Sequence, residues 1–184
     1  MSRPAPGRLE LVRDFLNTLS VDRGTDELAD LAGYRQWSRQ VGDYADADLG
    51  EDDRRLAVGL RDALRAVVAT HDKGAVPPSG KHLATIQAAV RGPALRLNVD
   101  QHGAVGLVGS PDRPGRVALA SLLARVAEAT VTGMWPRLKL CRLPTCRWAF
   151  YDASPARAAV WCTMSVCGAR HKARTYRRRQ ARTT

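Results

Sequence analysis

CRLPTCRWAFYDASPARAAVWCTMSVCGARHKARTYRRRQ, residues 141–180, decides how the C-terminal part of this chain folds. It holds all four cysteines of the protein, spaced C-x4-C-x15-C-x4-C. Two close pairs joined by a strand and a loop are a common way to assemble a four-thiolate metal site. Each pair gives two ligands while the chain between them folds back. Residues 137–184 carry few large apolar side chains, and so short a module does not hold together by burial alone. One structural zinc ion on Cys141, Cys146, Cys162 and Cys167 meets that need. It supplies apparent binding energy on the order of 10–16 kcal/mol, much of it realised as folding energy. Two disulfides or four buried thiols are the alternatives, and the residues alone leave them open.

The same stretch predicts local structure. RLKLC and CRWAFYD alternate like strands, with Leu138 and Leu140 on one face, Trp148 and Phe150 on one face of the partner, and RLPT as the turn. Cys162 and Cys167 are five residues apart, which is off one helical face. Cys162 should therefore precede a helix and Cys167 lie in its first turn, with Thr163 as N-cap. The helix runs to about Arg179, with Val166, Ala169, Ala173 and Tyr176 as a narrow inward stripe. Arg170, Arg174 and Arg177 line its flank, and Lys172, Arg178 and Arg179 cover much of the rest. Like charges at i, i+4 repel in an isolated helix, and a polyanion would relieve that repulsion.

Charge distribution supports this. The chain has 184 residues and a net charge of +11. Residues 1–128 balance 17 Lys and Arg against 17 Asp and Glu, whereas residues 129–184 carry 12 basic residues and one acid, Asp152. A basic end on a neutral body points to nucleic acid first and an anionic membrane second. Hydrophobic residues are 45% of the chain and aromatics 5%, which fits a helical Leu/Ala/Val core better than a β-sandwich. The N-terminal MSRPAPGRLE has no apolar signal core, and the most apolar run is interrupted by Arg125 and Glu128. The expectation is a cytoplasmic protein without a membrane partner, where clustered cysteines more often hold metal than disulfides.

Upstream, residues 8–20 place Leu9, Val12, Leu16 and Leu19 on one helical face, with Asn17 in a C-terminal capping role. Residues 25–41 read as one or two short helices with Leu28, Leu31, Trp37 and Val41 inward and Gly33 as a break. Residues 51–74 form the clearest helix. Its acids at 51–53 suit the positive dipole end, Leu56, Leu60, Leu64 and Val67 form its stripe, and Gly74 ends it. Ser79 caps a helix carrying Leu83, Ile86 and Val90. Residues 94–99 and 104–108 alternate around a DQHG turn and read as a β-hairpin, with an edge at which a second copy could pair. Another strong helix spans 117–134 on Leu119, Leu122, Leu123, Val126 and Val131, closed by Trp135-Pro136. The expected fold class is mainly α with a small β-hairpin (α+β). A helical domain over 1–134 precedes a four-cysteine finger over 137–184, built from a β-hairpin and a basic helix.

No catalytic constellation is visible. H-E-x-x-H, G-x-S-x-G and P-loop motifs are absent, and His71, His82 and His102 are scattered. His171, four residues past Cys167, is a weak substitute ligand. A closed four-cysteine site leaves no open coordination position, so an enzyme is not expected.

These residues resemble the CGNR zinc finger, a bacterial four-cysteine module. Its pattern runs C-x4-C, an aromatic-rich strand, F-x-D-x-S, and W-C-x3-4-C-G-N-R before a basic helix. Here FYDAS stands at 150–154, WC at 161–162 and CGAR at 167–170. Residues 1–134 are similar to the ABATE domain, usually joined to that finger and associated with stress-induced transcription regulation. The similarity rests on DFLNT at 14–18, the region of Trp37 and LRDALRAV at 60–67. The resemblance implies a DNA-binding transcriptional regulator with one structural Zn2+. Its DNA contacts would come from Arg157, Arg170, Lys172, Arg174, Arg177, Arg178 and Arg179. Its N-terminal domain would sense a small-molecule effector or form a homodimer. Ala169 stands where the family has Asn, and Arg157 is the one arginine in SPARAAV before Trp161. RNA binding by the same finger and thiol redox sensing without stable zinc are the alternatives.

Overall fold

A computed structural model describes residues 4–41, 49–72, 76–91, 95–109 and 114–181. Its α-helices are α1 (Leu9–Asn17), α2 (Leu31–Val41), α3 (Glu51–Ala69), α4 (Gly80–Val90), α5 (Pro114–Val131) and α6 (Ala169–Gln180). Three antiparallel hairpins pair β1 (Leu19–Ser20) with β2 (Thr25–Asp26), β3 (Leu95–Val99) with β4 (Val105–Gly109), and β5 (Leu138–Leu140) with β6 (Ala149–Tyr151). The fold is mainly helical with small hairpins, as the hydrophobic periods predict. The hairpin read at 94–108 pairs Leu95 with Gly109 and Val99 with Val105, one residue later on its second strand than expected. Residue 94, Gly74 and the side chains of Val41 and Val90 lie outside the described residues.

The core is built on α1, α3 and α5. Leu9, Val12, Phe15 and Leu16 are buried on one side of α1. Trp37 and Tyr34 of α2 close over them, with the Phe15 and Trp37 rings 4.8 Å apart. Leu60, Leu64 and Val68 of α3 and Leu119, Leu122 and Leu123 of α5 complete the cluster. That cluster continues without a break into Leu138, Leu140 and Ala149 of the β5–β6 hairpin. The C-terminal segment is thus packed on the helices through its first hairpin.

Several local readings change for identifiable reasons. Leu19 falls in β1, because α1 stops at Asn17 and the Thr18 hydroxyl donates to the Phe15 carbonyl at 2.8 Å. Gly33 lies inside α2 instead of breaking it. A Cβ there would sit 2.1 Å from the Glu27 carbonyl oxygen, so the residue is glycine for space. α3 ends at Ala69, where the Thr70 hydroxyl donates to the Val67 carbonyl at 2.7 Å. α5 is closed by Gly133, not by Trp135-Pro136. Gly133 adopts φ 69, its N–H donates to Thr130 at 3.1 Å, and Met134 donates to Ala129 at 2.8 Å. That is the paired bonding of a glycine-terminated helix. Val131, read as inward, is 89% exposed at the last residue of α5. Leu83 is exposed because α4 rests on α3 through later turns, where Thr85 approaches Gly59 and Ala89 is buried.

Candidate metal centre

The four cysteine sulfurs lie within 4.8 Å of one another. Cys146 Sγ is 3.7 Å from Cys162 Sγ, which is 3.6 Å from Cys167 Sγ. Four sulfurs each about 2.3 Å from one tetrahedral ion sit about 3.8 Å apart, so the donor set fits a single ion. All four cysteines are free, and the contacts are far longer than the roughly 2.05 Å of a disulfide bond. Cys141, Cys146 and Cys167 are buried together with Leu143, and Trp148 and Trp161 pack against them. The thiols of Cys141, Cys162 and Cys167 are driven apart in acidity. Cys141 is pulled down to about 5, first by its hydrogen bond from Cys162 and then, against burial, by backbone amides including that of Leu143. The same contact pushes Cys162 up, and burial pushes Cys167 up to about 11. Holding four thiolates in this volume requires a compensating cation.

Cys141 and Cys146 bracket the turn of the β5–β6 hairpin. Cys141 N–H donates to Trp148 O at 2.9 Å, and Cys146 N–H donates to Leu143 O at 2.9 Å. Arg147, next in the chain, adopts φ 52, a left-handed conformation that side chains other than glycine rarely take. Leu138 and Leu140 face the core as expected, but Lys139 between them is also buried, at 4% exposure. Its ammonium donates to Asp152 Oδ2 at 2.7 Å and to the carbonyls of Arg157 at 2.6 Å and Ala159 at 3.3 Å.

Asp152, the acid of FYDAS, organises the loop leading to the second pair. Its carboxylate accepts from Ser154 N–H at 3.0 Å, Ser154 Oγ at 2.6 Å and Ala159 N–H at 2.9 Å, in addition to Lys139. Burial pushes this carboxyl up, but the hydrogen bonds from Lys139, Ser154 and Ala159 outweigh it and hold it at about 2. The loop then places Trp161 and Cys162.

Cys162 precedes a π-helical turn, Met164–Gly168, that contains Cys167 and runs into α6. Thr163 holds the N-cap position through its carbonyl, which accepts from Cys167 N–H at 2.9 Å and Gly168 N–H at 3.3 Å, and its side chain makes no capping bond. The inward stripe expected from Val166, Ala169, Ala173 and Tyr176 does not form. α6 has no buried residue, Val166 is 46% exposed and Tyr176 64%. The stripe is too small to outweigh a surface this charged, so the helix lies on the surface.

The family model for the CGNR zinc finger matches residues 137–180. The ABATE model, described as "Putative stress-induced transcription regulator", matches residues 9–134. The chain belongs to the ABATE family. Among curated proteins, none matches it significantly. In this ABATE protein, Lys172, Arg177, Arg178 and Arg179 are exposed along α6 and Arg174 is half-buried. Arg170 Nη1 lies 3.2 Å from Asp22 Oδ1 in the β1–β2 turn. Arg157 is exposed on the Asp152 loop at φ 50. His171 stacks beside Trp161, with ring centroids 4.8 Å apart, and is not part of the sulfur cluster. No helix among the described residues is long and apolar enough to cross a membrane.

Sequence reasoning missed three residues around the centre. Asn17, read as a helix cap, instead pairs with Ala149 of β6. Arg65 is 8% exposed and bridges Leu16 O at 2.6 Å and Arg147 O at 2.8 Å. Burial, helped by the neighbouring charges of Arg61 and Arg147, pulls it down to about 10. Lys139 is the third. The one available signal was DFLNT itself, whose Asn the local pattern explains only as a helix cap.

Proposed function

We propose that this ABATE protein is a transcriptional regulator that binds duplex DNA through a zinc-clipped basic helix. One structural Zn2+ on Cys141, Cys146, Cys162 and Cys167 fixes the start of α6. With all four positions filled by thiolate, the ion has no site for a substrate, and the protein is not an enzyme. The observation that carries the reading is α6 itself, a helix from Ala169 to Gln180 with six cations, no acid and no buried residue. A helix that contributes nothing to the core and is anchored at one end is suited to a groove or a phosphate backbone. Arg170, Lys172, Arg174, Arg177, Arg178 and Arg179 supply the phosphate contacts, and Arg157 adds one from the loop beside the centre. The N-terminal region senses a small-molecule effector or joins two copies, and the protein works in the cytoplasm.

Fluorescence anisotropy against duplex DNA over a salt series tests this. With about six of these seven side chains neutralising a phosphate, log K should fall with log salt at a slope of about −5. Metal analysis of reduced protein should return one zinc per chain. Absence of duplex binding at low salt sinks the proposal. Preference for single-stranded RNA in competition transfers the helix to RNA, and metal-free protein with reversible disulfides makes the cluster a redox sensor.

A further inference from the structure

The two cysteine pairs differ in what holds them. Around the first pair, side chains from the N-terminal region complete the backbone. Ala149 faces Leu140 in the hairpin. The bonds Cys141 N–H to Trp148 O at 2.9 Å and Asp152 N–H to Arg137 O at 2.8 Å fix the register. In that register Ala149 turns its own N–H and C=O away from β5. Ala149 is fully buried, so both groups need partners. Asn17 supplies them: its Oδ1 accepts from Ala149 N–H at 2.8 Å and its Nδ2 donates to Ala149 O at 3.0 Å. One carboxamide, itself 6% exposed, stands in for a third strand.

Arg65 does the equivalent at the turn. It ties the carbonyl of Arg147, held at φ 52 directly after Cys146, to the carbonyl of Leu16 at the end of α1. Beyond α3, a ring nitrogen of His71 lies 2.7 Å from Leu138 O, and Asp72 accepts from Arg142 Nε at 2.5 Å. Among the described residues the second pair has no such brace from the N-terminal region: the loop before it is held by the hairpin alone, through Arg142 N–H to Val160 O at 2.9 Å and the Lys139–Asp152 network. Its flanking Met164 and Val166 are exposed, α6 buries nothing, and the Arg170–Asp22 contact lies in solvent.

We propose that Asn17 and Arg65 are positioning residues of the metal centre. The N-terminal region prebuilds the Cys141–Cys146 half, and the ion then recruits the Cys162–Cys167 half, and α6 with it, onto that half. Zinc loading is therefore an ordering step for the basic helix and not for the whole C-terminal segment. This rests on the metal reading above and is independent of which nucleic acid is bound.

Amide exchange on the full chain, zinc-loaded and chelator-stripped, tests it. After stripping, the amides of Cys141 and Ala149 should stay protected, while those of Cys167 and Gly168 exchange roughly a hundredfold faster. Loss of all four together overturns the proposal. In folded Asn17→Leu and Arg65→Met proteins, chelator competition should show zinc affinity lowered about 10–100-fold at unchanged helicity, with Arg65→Lys recovering part of it. Wild-type affinity in folded Asn17→Leu and Arg65→Met also overturns it. If those variants do not fold, exchange on the wild-type chain decides alone. A wild-type chain that takes up no zinc fails the metal reading instead, and the stripped-state exchange pattern still shows whether the first pair is prebuilt.

Discussion

The two halves of the sulfur cluster make opposite use of the chain around them. Cys141 and Cys146 sit on a hairpin whose strand residues belong to the same buried cluster as Phe15 and Leu60. Cys162 and Cys167 sit on a turn that opens into a helix with no buried residue. A segment this poor in apolar surface cannot support both halves by burial. It commits most of its buried apolar residues to one half and, in the proposed reading, leaves the other mainly to metal–sulfur bonds. That division is also what keeps α6 free: a helix packed into the core would give up part of its charged surface.

The strongest way to break this contrast is to remove one ligand from each half. Cys167→Ser should reduce zinc from one per chain to near zero and cut DNA affinity by at least about tenfold, because α6 loses its fixed origin. The melting temperature of the helical core should move little. Cys141→Ser should lose zinc equally but also lower the melting temperature, since Cys141 stays buried against Leu143 in the braced half, whereas the buried Cys167 is released with the second half. A buried hydroxyl at that position costs about 1–3 kcal/mol. Metal analysis beside thermal unfolding separates the two. Equal melting temperatures for both variants would end the claim that the halves differ.

Next in size is the Lys139–Asp152 pair, which joins the braced hairpin to the loop feeding the second pair. Lys139→Met strands a carboxylate at 1% exposure and should cost about 3–5 kcal/mol. The double variant Lys139→Met/Asp152→Leu should recover part of that loss. The pair also sets an acid limit. Asp152 is depressed from 3.8 unfolded to about 2 folded, so its contribution is fully present above about pH 4 and disappears as pH falls through 2. The amount is on the order of 2 kcal/mol. Acid unfolding of the wild type compared with Asp152→Asn checks it: the variant should lack this acid-dependent component.

The cysteine spacing made the centre legible because metal ligation is encoded by residue type and local separation. The same holds for Cys167 in the turn that opens into α6, for Leu9, Val12 and Leu16 of α1, and for Leu119, Leu122 and Leu123 of α5. What escaped was everything whose partner lies far along the chain. Asn17 and Ala149 are 132 residues apart, and nothing near Asn17 says that its amide meets a strand edge. Arg61 and Arg65 follow Leu60 and Leu64 in α3 with no pattern that marks them as buried, yet Arg61 is 2% exposed with Asp26 and Thr18 on its guanidinium. Lys139, between the core-facing Leu138 and Leu140, is buried with its counter-charge 13 residues away. Periodicity marks which residues can be apolar and buried, but it does not reveal a buried cation whose counter-charge arrives from another element. The false stripe on α6 is the converse error: a pattern was present, but no surface existed to receive it.

The smallest effect concerns Ala169, the first residue of α6, exposed and adjacent to Arg170. An alanine side chain offers no donor or acceptor, so under the proposed DNA binding position 169 has nothing with which to read a base edge. Ala169→Asn adds one donor–acceptor pair beside the metal-anchored turn and leaves every cysteine and cation in place. Zinc content and the salt slope of about −5 should be unchanged, because neither the ligands nor the number of phosphate contacts moves. Discrimination between duplexes of different sequence should rise by about 1 kcal/mol, the low end for a base contact. Competition anisotropy with a randomised duplex pool reads that difference. A gain in affinity for all sequences alike would assign position 169 to the backbone. A fall in zinc content would mean that the braced half of the centre does not insulate the ion from changes at the start of the helix.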